Sequence, residues 1–338
     1  MTQGPVSRVK IFSTCPQSRD ADRAQYARLV ADVARWSEAA GCEGILVYTD
    51  NGIVDPWLVA QLVVQATERL APLVAVQSAY MHPYSVAKMV SSLAHLHRRR
   101  VYLNMVAGGF RNDLLALGDD TPHDARYERL IEYAGIVKAL VNGSGPVSHE
   151  GAHYVVRNLR LKPEVPPELS PGMTISGSSP AGLAAARTLG AIAIKYPQPA
   201  EQEESQADAG LECGMRIGII TRADREEAWR VAYERFPEDR EGQIAHRLAM
   251  HVSDSQWHRQ LSDLAREAAT AGSVYWLGPF QNYKTFCPYL VGDYDRTAAE
   301  LRRYMELGFR TFILDIPPSE EELHHIGVAF RAADGPSL

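Results

Sequence analysis

The sequence predicts an α/β protein in which eight parallel strands close into a (β/α)₈ TIM barrel that carries insertions at its C-terminal face. Short β-branched runs alternate with longer stretches of helical period along the 338 residues, and this alternation builds parallel sheets from βαβ units. The strand-like runs number eight, which is the number that closes a parallel barrel. One large barrel also accounts for the length of the chain.

The first strand and helix carry clear local signals. A β-prone run at 9–13 is followed by apolar residues at helical spacing over 22–40, Gly41 suits the end of that helix, and 44–48 returns as a strand. The same reasoning predicts strands at 9–13, 44–48, 73–77, 101–106, 173–176, 191–196, 216–221 and 309–315. It predicts helices at 22–40, 56–70, 84–97, 125–141, 181–189, 225–236, 296–307 and 320–331.

Two segments interrupt the alternation. Residues 143–167 are rich in Pro and Gly and predict a hairpin insertion outside the main sheet, with strands at 147–150 and 153–157. Residues 238–288 mix helical segments with an aromatic loop and predict a lid insertion over the barrel mouth. Because no composition shift resembles a linker, we expect one domain over residues 1–338.

Composition and charge exclude several classes of protein. A net charge of -6 argues against nucleic-acid and anionic-membrane partners, which need a positive surface. The four cysteines have no paired spacing, so neither a zinc site nor a disulfide framework is predicted. Residues 1–11 do not resemble a signal peptide, and no apolar run approaches the roughly 20 residues of a membrane helix. We therefore expect a soluble, cytoplasmic protein without a metal.

The residues directly after each strand are the candidates for an active site, because a parallel barrel builds its site at the C-terminal ends of the strands. They contain neither a metal-binding cluster nor a nucleophile with an evident base. They are Cys15, Thr49, Asp50, residues 77–82, Asn104, residues 176–179, Lys195, Tyr196 and Asp315.

One strand-end segment suits a phosphate group. Gly177, Ser178 and Ser179 follow a strand and open a helix. Backbone N–H groups and hydroxyls in that position hold a phosphate at the positive end of the helix dipole. Ordinary N-capping by serine is the alternative explanation of the same residues.

Three further polar residues lie near these strand ends. Asn104 ends an apolar strand, where its amide needs either a backbone partner or the edge of a planar ligand. His123 and Tyr127 share one face at the start of a helix, either as ligand contacts or as capping and packing residues.

Several short motifs occur in a characteristic order along nearly the whole chain. They are Asp55-Pro56-Trp57-Leu58-Val59-Ala60, His82-Pro83 leading to Arg100, Tyr102-Leu103-Asn104-Met105-Val106-Ala107-Gly108-Gly109, His123-x-x-Arg126-Tyr127, Gly177-Ser178-Ser179, Arg216 to Trp229, and Leu290-Val291-Gly292-Asp293. In this order they resemble the luciferase-like flavin monooxygenases, and within them the alkanesulfonate monooxygenase branch. The resemblance implies a barrel of the bacterial-luciferase type.

The resemblance also implies a cofactor and a reaction. Reduced FMN from a separate flavin reductase would bind at the barrel mouth and react with oxygen. The resulting flavin hydroperoxide would oxygenate a small-molecule organic substrate. Asn104 would contact the flavin, and Gln77 and Ser78 would lie against the ring face, at a position where the family often has a non-prolyl cis peptide. The ribityl-phosphate chain would contact His123, Tyr127, Gly177, Ser178 and Ser179.

The substrate half of the alkanesulfonate pattern is changed. Arg216, which aligns with an arginine that serves the sulfonate, is retained, whereas the family's next histidine is Gly218 and its tryptophan near the sixth strand is Tyr196. Desulfonation is therefore not predicted, and an aromatic lid favours a larger or less anionic substrate. The lid aromatics are Tyr275, Trp276, Phe280, Tyr283 and Phe286.

His82 and Cys15 are candidate catalytic residues together with Arg216. The near-neutral pKa typical of histidine suits proton transfer in oxygen chemistry, although a His-Pro helix start is also a structural motif. Cys15 would contact flavin or substrate, or fill the core as a small apolar residue.

Two alternative functions and an assembly remain open. The same barrel suits a deazaflavin-dependent oxidoreductase that transfers hydride, or a flavin-binding barrel without catalysis. The resemblance implies a homodimer or higher homo-oligomer formed through helices of the first half, and the apolar residues at 57–64 suit such an interface.

Overall fold

The computed structural model describes residues 9–108, 111–206, 210–252, 261–262 and 273–334. Within these residues the chain forms twelve strands, numbered in chain order. They are β1 (Lys10–Thr14), β2 (Gly44–Val47), β3 (Ala71–Gln77), β4 (Tyr102–Val106), β5 (Val147–Glu150), β6 (Val155–Leu159), β7 (Gly172–Ser176), β8 (Ile192–Lys195), β9 (Cys213–Arg222), β10 (Tyr275–Trp276), β11 (Tyr289–Asp293) and β12 (Phe309–Leu314).

Eight of the strands form a closed parallel barrel in the order β1, β2, β3, β4, β7, β8, β9 and β12. Lys10 of β1 lies opposite Thr311 of β12, and Ala193 of β8 lies opposite Cys213 of β9, so the ring closes on itself. β3 is buried along its whole length, as expected for a parallel strand covered on both faces. The predicted (β/α)₈ barrel is therefore confirmed.

Helices on the outside return the chain from one strand to the next. They are α1 (Tyr26–Ala39), α2 (Pro56–Ala66), α3 (Pro83–His97), α4 (Arg111–Ala116), α5 (His123–Asn142), α6 (Pro180–Leu189), α7 (Arg225–Arg235), α8 (Arg240–Val252), α9 (Gly278–Gln281), α10 (Tyr294–Glu306) and α11 (Glu320–Asp334). The short helix α4 was not predicted. No helix among the described residues is both long and apolar enough to cross a membrane.

The helix predicted over 56–70 ends earlier, at Ala66. The side chain of Glu38 in α1 explains this end, because its carboxylate accepts the backbone N–H groups of Glu68 and Leu70 at 3.1 and 2.8 Å. These N–H groups have a side-chain acceptor and need no helical carbonyl. A tertiary contact of this kind has no local sequence signal.

The inside of the barrel is filled with large apolar side chains below the strand ends. Phe12 and Tyr102 pack edge to face with ring centroids 5.1 Å apart, and Leu46, Leu73 and Ile313 belong to the same buried cluster. Packing of this type makes the barrel a solid core and not a pore. A ligand therefore has access only above this layer.

Strand β9 is longer than the ring requires, and its two halves have different partners. Cys213–Met215 pair with β8 and Cys213–Ile217 with β12, whereas Gly218–Arg222 pair in parallel with β11. β10 then adds to β11 as an antiparallel strand. The sheet thus extends beyond the ring at the point where the predicted lid insertion leaves the barrel. β11 was not among the predicted strands, because eight β-prone runs had already completed the barrel.

The hairpin insertion is present as a separate two-stranded sheet of β5 and β6. Its second strand begins at Val155, not at 153. The Glu132 carboxylate of α5 accepts the backbone N–H groups of Ala152 and His153 at 2.9 and 3.0 Å, which holds these two residues in the turn.

Candidate active site

A cavity of about 490 Å³ opens at the C-terminal ends of the barrel strands. Of the eleven residues for which the sequence predicts contact with the cofactor or a catalytic role, eight line this one cavity: Gln77, Asn104, His123, Tyr127, Gly177, Ser178, Ser179 and Arg216. These residues come from five strands or strand-helix junctions that are up to 139 positions apart in the sequence, from Gln77 to Arg216. The barrel therefore assembles most of the predicted site in one place.

Asn104 lies on β4 and is 4% exposed. Its Oδ1 accepts hydrogen bonds from the Thr174 hydroxyl at 2.8 Å and from the Ser176 hydroxyl at 2.9 Å, both on β7. An amide has separate acceptor and donor ends. Since the two hydroxyls use the acceptor end, the NH₂ group of this cavity-lining side chain is the end available to a ligand.

Residues 177–179, called the β7–α6 turn, bring a helix N-terminus to the cavity. Ser179 is the N-cap of α6, and its Oγ accepts the backbone N–H of Gly182 at 3.1 Å. The predicted capping role of Ser179 is thus present, while Ser178 and Gly177 line the same cavity. Capping and anion binding are compatible here, because several N–H groups in the first turn of a helix lack helical acceptors.

Gly177 is required by its backbone and its surroundings. Its φ is +152°, and a Cβ on this residue would lie 2.3 Å from the Tyr127 hydroxyl oxygen. Only glycine adopts such a conformation readily. The β7–α6 turn therefore packs directly against Tyr127 of α5, which shapes the cavity wall.

His123 and Tyr127 lie side by side at the start of α5, as their spacing predicts. Their ring centroids are 5.3 Å apart, and both residues line the cavity. His123 Nδ1 is 2.7 Å from the Asp124 carboxylate. Burial raises the pKa of the Tyr127 phenol, so it acts as a neutral hydroxyl at physiological pH.

Arg216 of β9 also lines the cavity and is 5% exposed. Its guanidinium lies over the Tyr48 ring at 4.7 Å from the centroid. Its Nη2 is 3.4 Å from the Asp315 carboxylate, just after β12. The guanidinium is thus fixed by one aromatic face and one carboxylate.

Asp315 joins Arg216 to the end of the lid insertion and to β11. Its Oδ2 accepts hydrogen bonds from the Thr285 hydroxyl at 2.6 Å and the Tyr289 hydroxyl at 2.7 Å. Burial alone would raise the pKa of Asp315, but Arg216 and the two hydroxyls outweigh burial and hold the pKa below its usual value. We call Arg216, Thr285, Tyr289 and Asp315 the Asp315 network.

The rim of the cavity carries charged residues that the sequence analysis did not single out or did not group. Arg19 forms an ion pair with Asp50 at 3.0 Å, and Asp113 lies on the same rim. Burial, and then the charge of Asp50, raises the pKa of Asp113. Arg19 follows β1 by several residues, so a search restricted to the residues directly after each strand misses it.

The five aromatic residues expected in the lid fall into two groups. Tyr283 and Phe286 line the cavity and pack edge to face, with ring centroids 5.9 Å apart. Tyr275, Trp276 and Phe280 instead pack elsewhere: the Tyr275 hydroxyl donates to the Pro197 carbonyl at 2.7 Å, Trp276 contacts Trp229, and Phe280 contacts His246. These three aromatic residues support the insertion and do not line the cavity.

Three candidate residues lie outside the cavity lining. His82 is exposed and caps α3, its Nδ1 accepting the Tyr84 N–H at 3.1 Å. Cys15 is 1% exposed in an apolar cluster with Val30 and Val33, and burial raises the pKa of its thiol. Ser78 is buried and its hydroxyl oxygen has no hydrogen-bond partner in the described structure.

The peptide bond at Gln77–Ser78 differs from the expectation. The cis peptide bond found in the described part of the chain is Lys162–Pro163, so the bond after Gln77 is not cis. Gln77 itself lines the cavity at the end of β3. The predicted non-prolyl cis peptide is therefore wrong for this structure.

Comparison with known sequences identifies relatives of the chain. A family model described as luciferase-like monooxygenase matches residues 7–311. A curated relative, 4-(gamma-L-glutamylamino)butanoyl-[BtrI acyl-carrier protein] monooxygenase BtrO of Niallia circulans, is 34% identical over 299 residues. The matched region covers 87% of this chain and 87% of the relative.

Comparison with solved structures identifies shared architecture. EDTA monooxygenase (EmoA) from Chelativorans sp. BNC1 superposes with a TM-score of 0.73 at 16% identity, over 98% of this chain and 94% of that chain. An F420-dependent secondary alcohol dehydrogenase superposes with a TM-score of 0.64 at 15% identity, over 97% of this chain and 99% of that chain. At these identities the comparison shows a common fold.

Proposed function

The chain belongs to the luciferase-like monooxygenases, and from this premise we propose that it uses reduced FMN, delivered by a separate flavin reductase, to oxygenate a small organic substrate. The observation that carries the proposal is the convergence of the β7–α6 turn, the His123–Tyr127 pair and Asn104 on one cavity. These groups supply a place for an anion and a donor for a planar ring.

The residues of the cavity fit FMN on chemical grounds. The N-terminus of α6 and the Ser178 hydroxyl would hold the phosphate, since both present donors at the positive end of a helix. Tyr127 would border the ribityl chain. The NH₂ group of Asn104 would donate to a polar edge of the ring, because its oxygen is already bonded to Thr174 and Ser176.

When bound, reduced FMN would supply the two electrons with which oxygen is activated. The chain's own residues then position the substrate and limit access of water. Tyr283 and Phe286 cover the cavity with aromatic surface, which excludes water from the reacting groups. Arg216, which also lines the cavity, offers its guanidinium to a polar group of the substrate. Because His82 lies off the cavity, no proton-transfer role is assigned to it.

The proposal is tested by mixing the protein with chemically reduced FMN and then with air in a stopped-flow instrument. We expect a transient absorbing species that differs from both free reduced and free oxidised FMN and that decays faster with substrate. Ser178→Ala should weaken FMN binding, and Ser92→Ala on α3 serves as a matched serine control away from the cavity. Immediate oxidation at the rate of free FMN, with no product oxygenated, would contradict the proposal and favour a non-catalytic flavin-binding barrel.

A deazaflavin is the second candidate cofactor. The structural similarity to an F420-dependent alcohol dehydrogenase favours testing it. Fluorescence titrations with reduced FMN and with a deazaflavin give the two dissociation constants directly. We expect FMN to bind more tightly, and tighter binding of the deazaflavin with no oxygen consumption would point to hydride transfer instead.

The substrate class is proposed from the curated relative, whose name specifies a butanoyl group on an acyl-carrier protein. We propose an acyl compound as the substrate of this chain. Comparing oxygen consumption with a free fatty acid, its amide and its carrier-protein thioester tests the class. Equal activity with all three forms would remove the carrier from the proposal.

We also propose that two copies associate through α2 and α3. Most apolar residues at 57–64, including Trp57 and Val63, are buried inside the protomer and are not available. On α2 and α3 the exposed large apolar residues are Leu58 at 65%, Met89 at 42% and Leu96 at 70%. Sedimentation of the wild type and of Leu96→Glu tests this surface, and a wild-type monomer would reject it.

A further inference from the structure

Arg216 and Asp315 form a buried ion pair at the cavity wall. The charge of this pair affects which chemical group of a substrate can bind there. The two side chains are 6% and 11% exposed, with an N···O distance of 3.4 Å. Arg216 lines the cavity, whereas Asp315 lies behind it. A ligand therefore meets a guanidinium whose charge already has a partner.

The carboxylate is held in its ionised form by its neighbours. Oδ1 faces Arg216, and Oδ2 accepts both the Thr285 and the Tyr289 hydroxyl. Three donors on one carboxylate favour the charged form. The arginine and the aspartate thus contribute one positive and one negative charge to the same buried region.

The other charged residues near the Arg216–Asp315 pair do not change the pair's net charge of zero at the cavity surface. Arg235 stacks on the Phe236 and Tyr289 rings and lies 4.0 Å from the Glu322 carboxylate, outside the cavity lining. On the rim, Arg19 is paired with Asp50, and the side chain of Arg111 is exposed to solvent. Of these cations, only Arg216 is a buried group of the lining.

Arg216 nevertheless keeps hydrogen-bonding capacity. Its Nε is buried and has no hydrogen-bond partner in the described structure. A guanidinium has five N–H donors in a fixed plane, and the contact with Tyr48 fixes that plane. A buried donor without a partner is costly, so a substrate acceptor that reaches this side chain would gain from satisfying it.

We propose, on the basis of the function proposed above, that Asp315 is a specificity-determining positioning residue that makes Arg216 select an uncharged acceptor, such as an amide or thioester carbonyl. An anion at this wall would lose its hydration next to a pair with no net charge, which is unfavourable. A neutral carbonyl loses less hydration and still accepts the hydrogen bond. Selection of this kind works by penalising the wrong ligand.

The test compares two probes of the same shape and different charge. Pentanamide and pentanoate are titrated into the FMN-loaded protein at pH 7, with dissociation constants taken from ligand-observed NMR competition. We expect the wild type to bind pentanamide about tenfold or more tightly than pentanoate. Asp315→Asn leaves the guanidinium charge uncompensated and should shift the ratio of the two constants toward pentanoate by about tenfold or more.

Two further variants separate charge from hydrogen bonding. Tyr289→Phe removes one donor and keeps the carboxylate, so the ratio should change less than about twofold. Asp315→Glu retains the negative charge and should keep part of the preference for pentanamide that Asp315→Asn loses. A general structural defect would weaken both probes alike and would leave the ratio unchanged.

The inference is overturned if the wild type prefers pentanoate, if it binds neither probe, or if folded Asp315→Asn keeps the wild-type ratio. Even if Asp315→Asn does not fold, the ratio of the wild-type dissociation constants for pentanamide and pentanoate tests the inference. A parallel FMN titration distinguishes failure of this inference from failure of the proposed function. Failure of the wild type to bind FMN contradicts the function, whereas normal FMN binding with an unchanged ratio contradicts only the role of Asp315.

Discussion

The β7–α6 turn and the Asp315 network both contribute residues to one cavity, but they are built in different ways. The turn consists of three consecutive residues, of which Ser179 caps α6 by accepting the Gly182 N–H. The network joins Arg216, Thr285, Tyr289 and Asp315, which lie up to 99 positions apart in the sequence. The turn is therefore encoded locally, whereas the network depends on the whole barrel, on the end of the lid insertion and on β11.

This difference predicts that changes at the turn affect the cofactor and changes at the network affect the substrate. Gly177→Ala should have the largest effect, because a Cβ would lie 2.3 Å from the Tyr127 oxygen at a φ of +152°. We expect the turn of the variant to relax away from Tyr127 in the free protein, so that FMN binding must restore a strain of about 3 kcal/mol, which corresponds to about 100-fold weaker binding. Fluorescence titration of the wild type and the variant measures the two dissociation constants for FMN.

Gly190→Ala is the matched control for that variant. Gly190 also has a positive φ, of +59°, but the nearest atom to its Cβ is Lys138 Nζ at 3.8 Å. The substitution should lower stability by about 1 kcal/mol and leave FMN affinity unchanged. If both variants weakened FMN binding equally, the turn would have no specific role.

Arg216→Lys should have the next largest effect and should leave the turn intact. Lysine keeps the positive charge beside Asp315 but loses the planar donors and the aromatic contact with Tyr48. We expect KM for the substrate to rise about tenfold, or about 1.4 kcal/mol, with an unchanged dissociation constant for FMN. A change in FMN affinity with a constant KM would contradict the assignment of the turn to the cofactor and of the Asp315 network to the substrate.

Asp119→Asn should have a smaller effect, on stability. Asp119 precedes α5 and accepts from the Arg129 guanidinium at 2.6 Å. Burial raises the pKa of Asp119, but Arg129 and Thr121 outweigh burial and lower it to about 2. Allowing for solvent screening, the variant should lose about 1 kcal/mol at pH 7.

The same carboxylate gives a pH dependence with a definite sign. Because the pKa of Asp119 is lower in the folded state, its stabilisation is complete above the ordinary value near 3.9 and disappears as the pH falls toward about 2. Thermal unfolding of the wild type and the variant between pH 7 and pH 2.5 measures the difference. A difference that grows on acidification would contradict the assignment.

His82→Asn should have the smallest effect. Asparagine retains the capping acceptor that His82 Nδ1 provides to the Tyr84 N–H, so stability should remain within about 0.5 kcal/mol. His82→Ala should lose about 1 kcal/mol through the missing cap. Turnover with reduced FMN should be nearly unchanged in both, and a large loss of turnover in His82→Asn would restore the catalytic hypothesis.

The locally encoded half of the site could be predicted from the sequence. Asn104 lies within β4 and residues 177–179 follow β7. Both strands are easy to recognise, and the barrel brings every strand end to one face. Position after a strand does not determine the direction of a side chain, however, because neighbouring residues point to opposite faces. Cys15 shows this, since it follows β1 and yet packs between the barrel and α1 against Val30 and Val33.

The Asp315 network could not be predicted in the same way. Asp315 was recognised as a strand-end residue, but its partners Thr285 and Tyr289 are hydroxyl residues without a distinctive pattern. Their pairing depends on β11 lying beside the second half of β9. The resemblance that identified Arg216 likewise gave no reason to expect that its charge is compensated.

The divided strand β9 has a consequence for protein engineering. Its first half completes the ring, and its second half carries β11, so residues 223–288 leave from and return to the same ladder of hydrogen bonds. A foreign cover segment grafted between these two strands would leave all eight ring pairings intact. Such a graft must keep Thr285, whose hydroxyl donates to Asp315 as that of Tyr289 does, and the buried face of α7, whose Ala228 and Ala232 belong to one core cluster with strands β9 and β11.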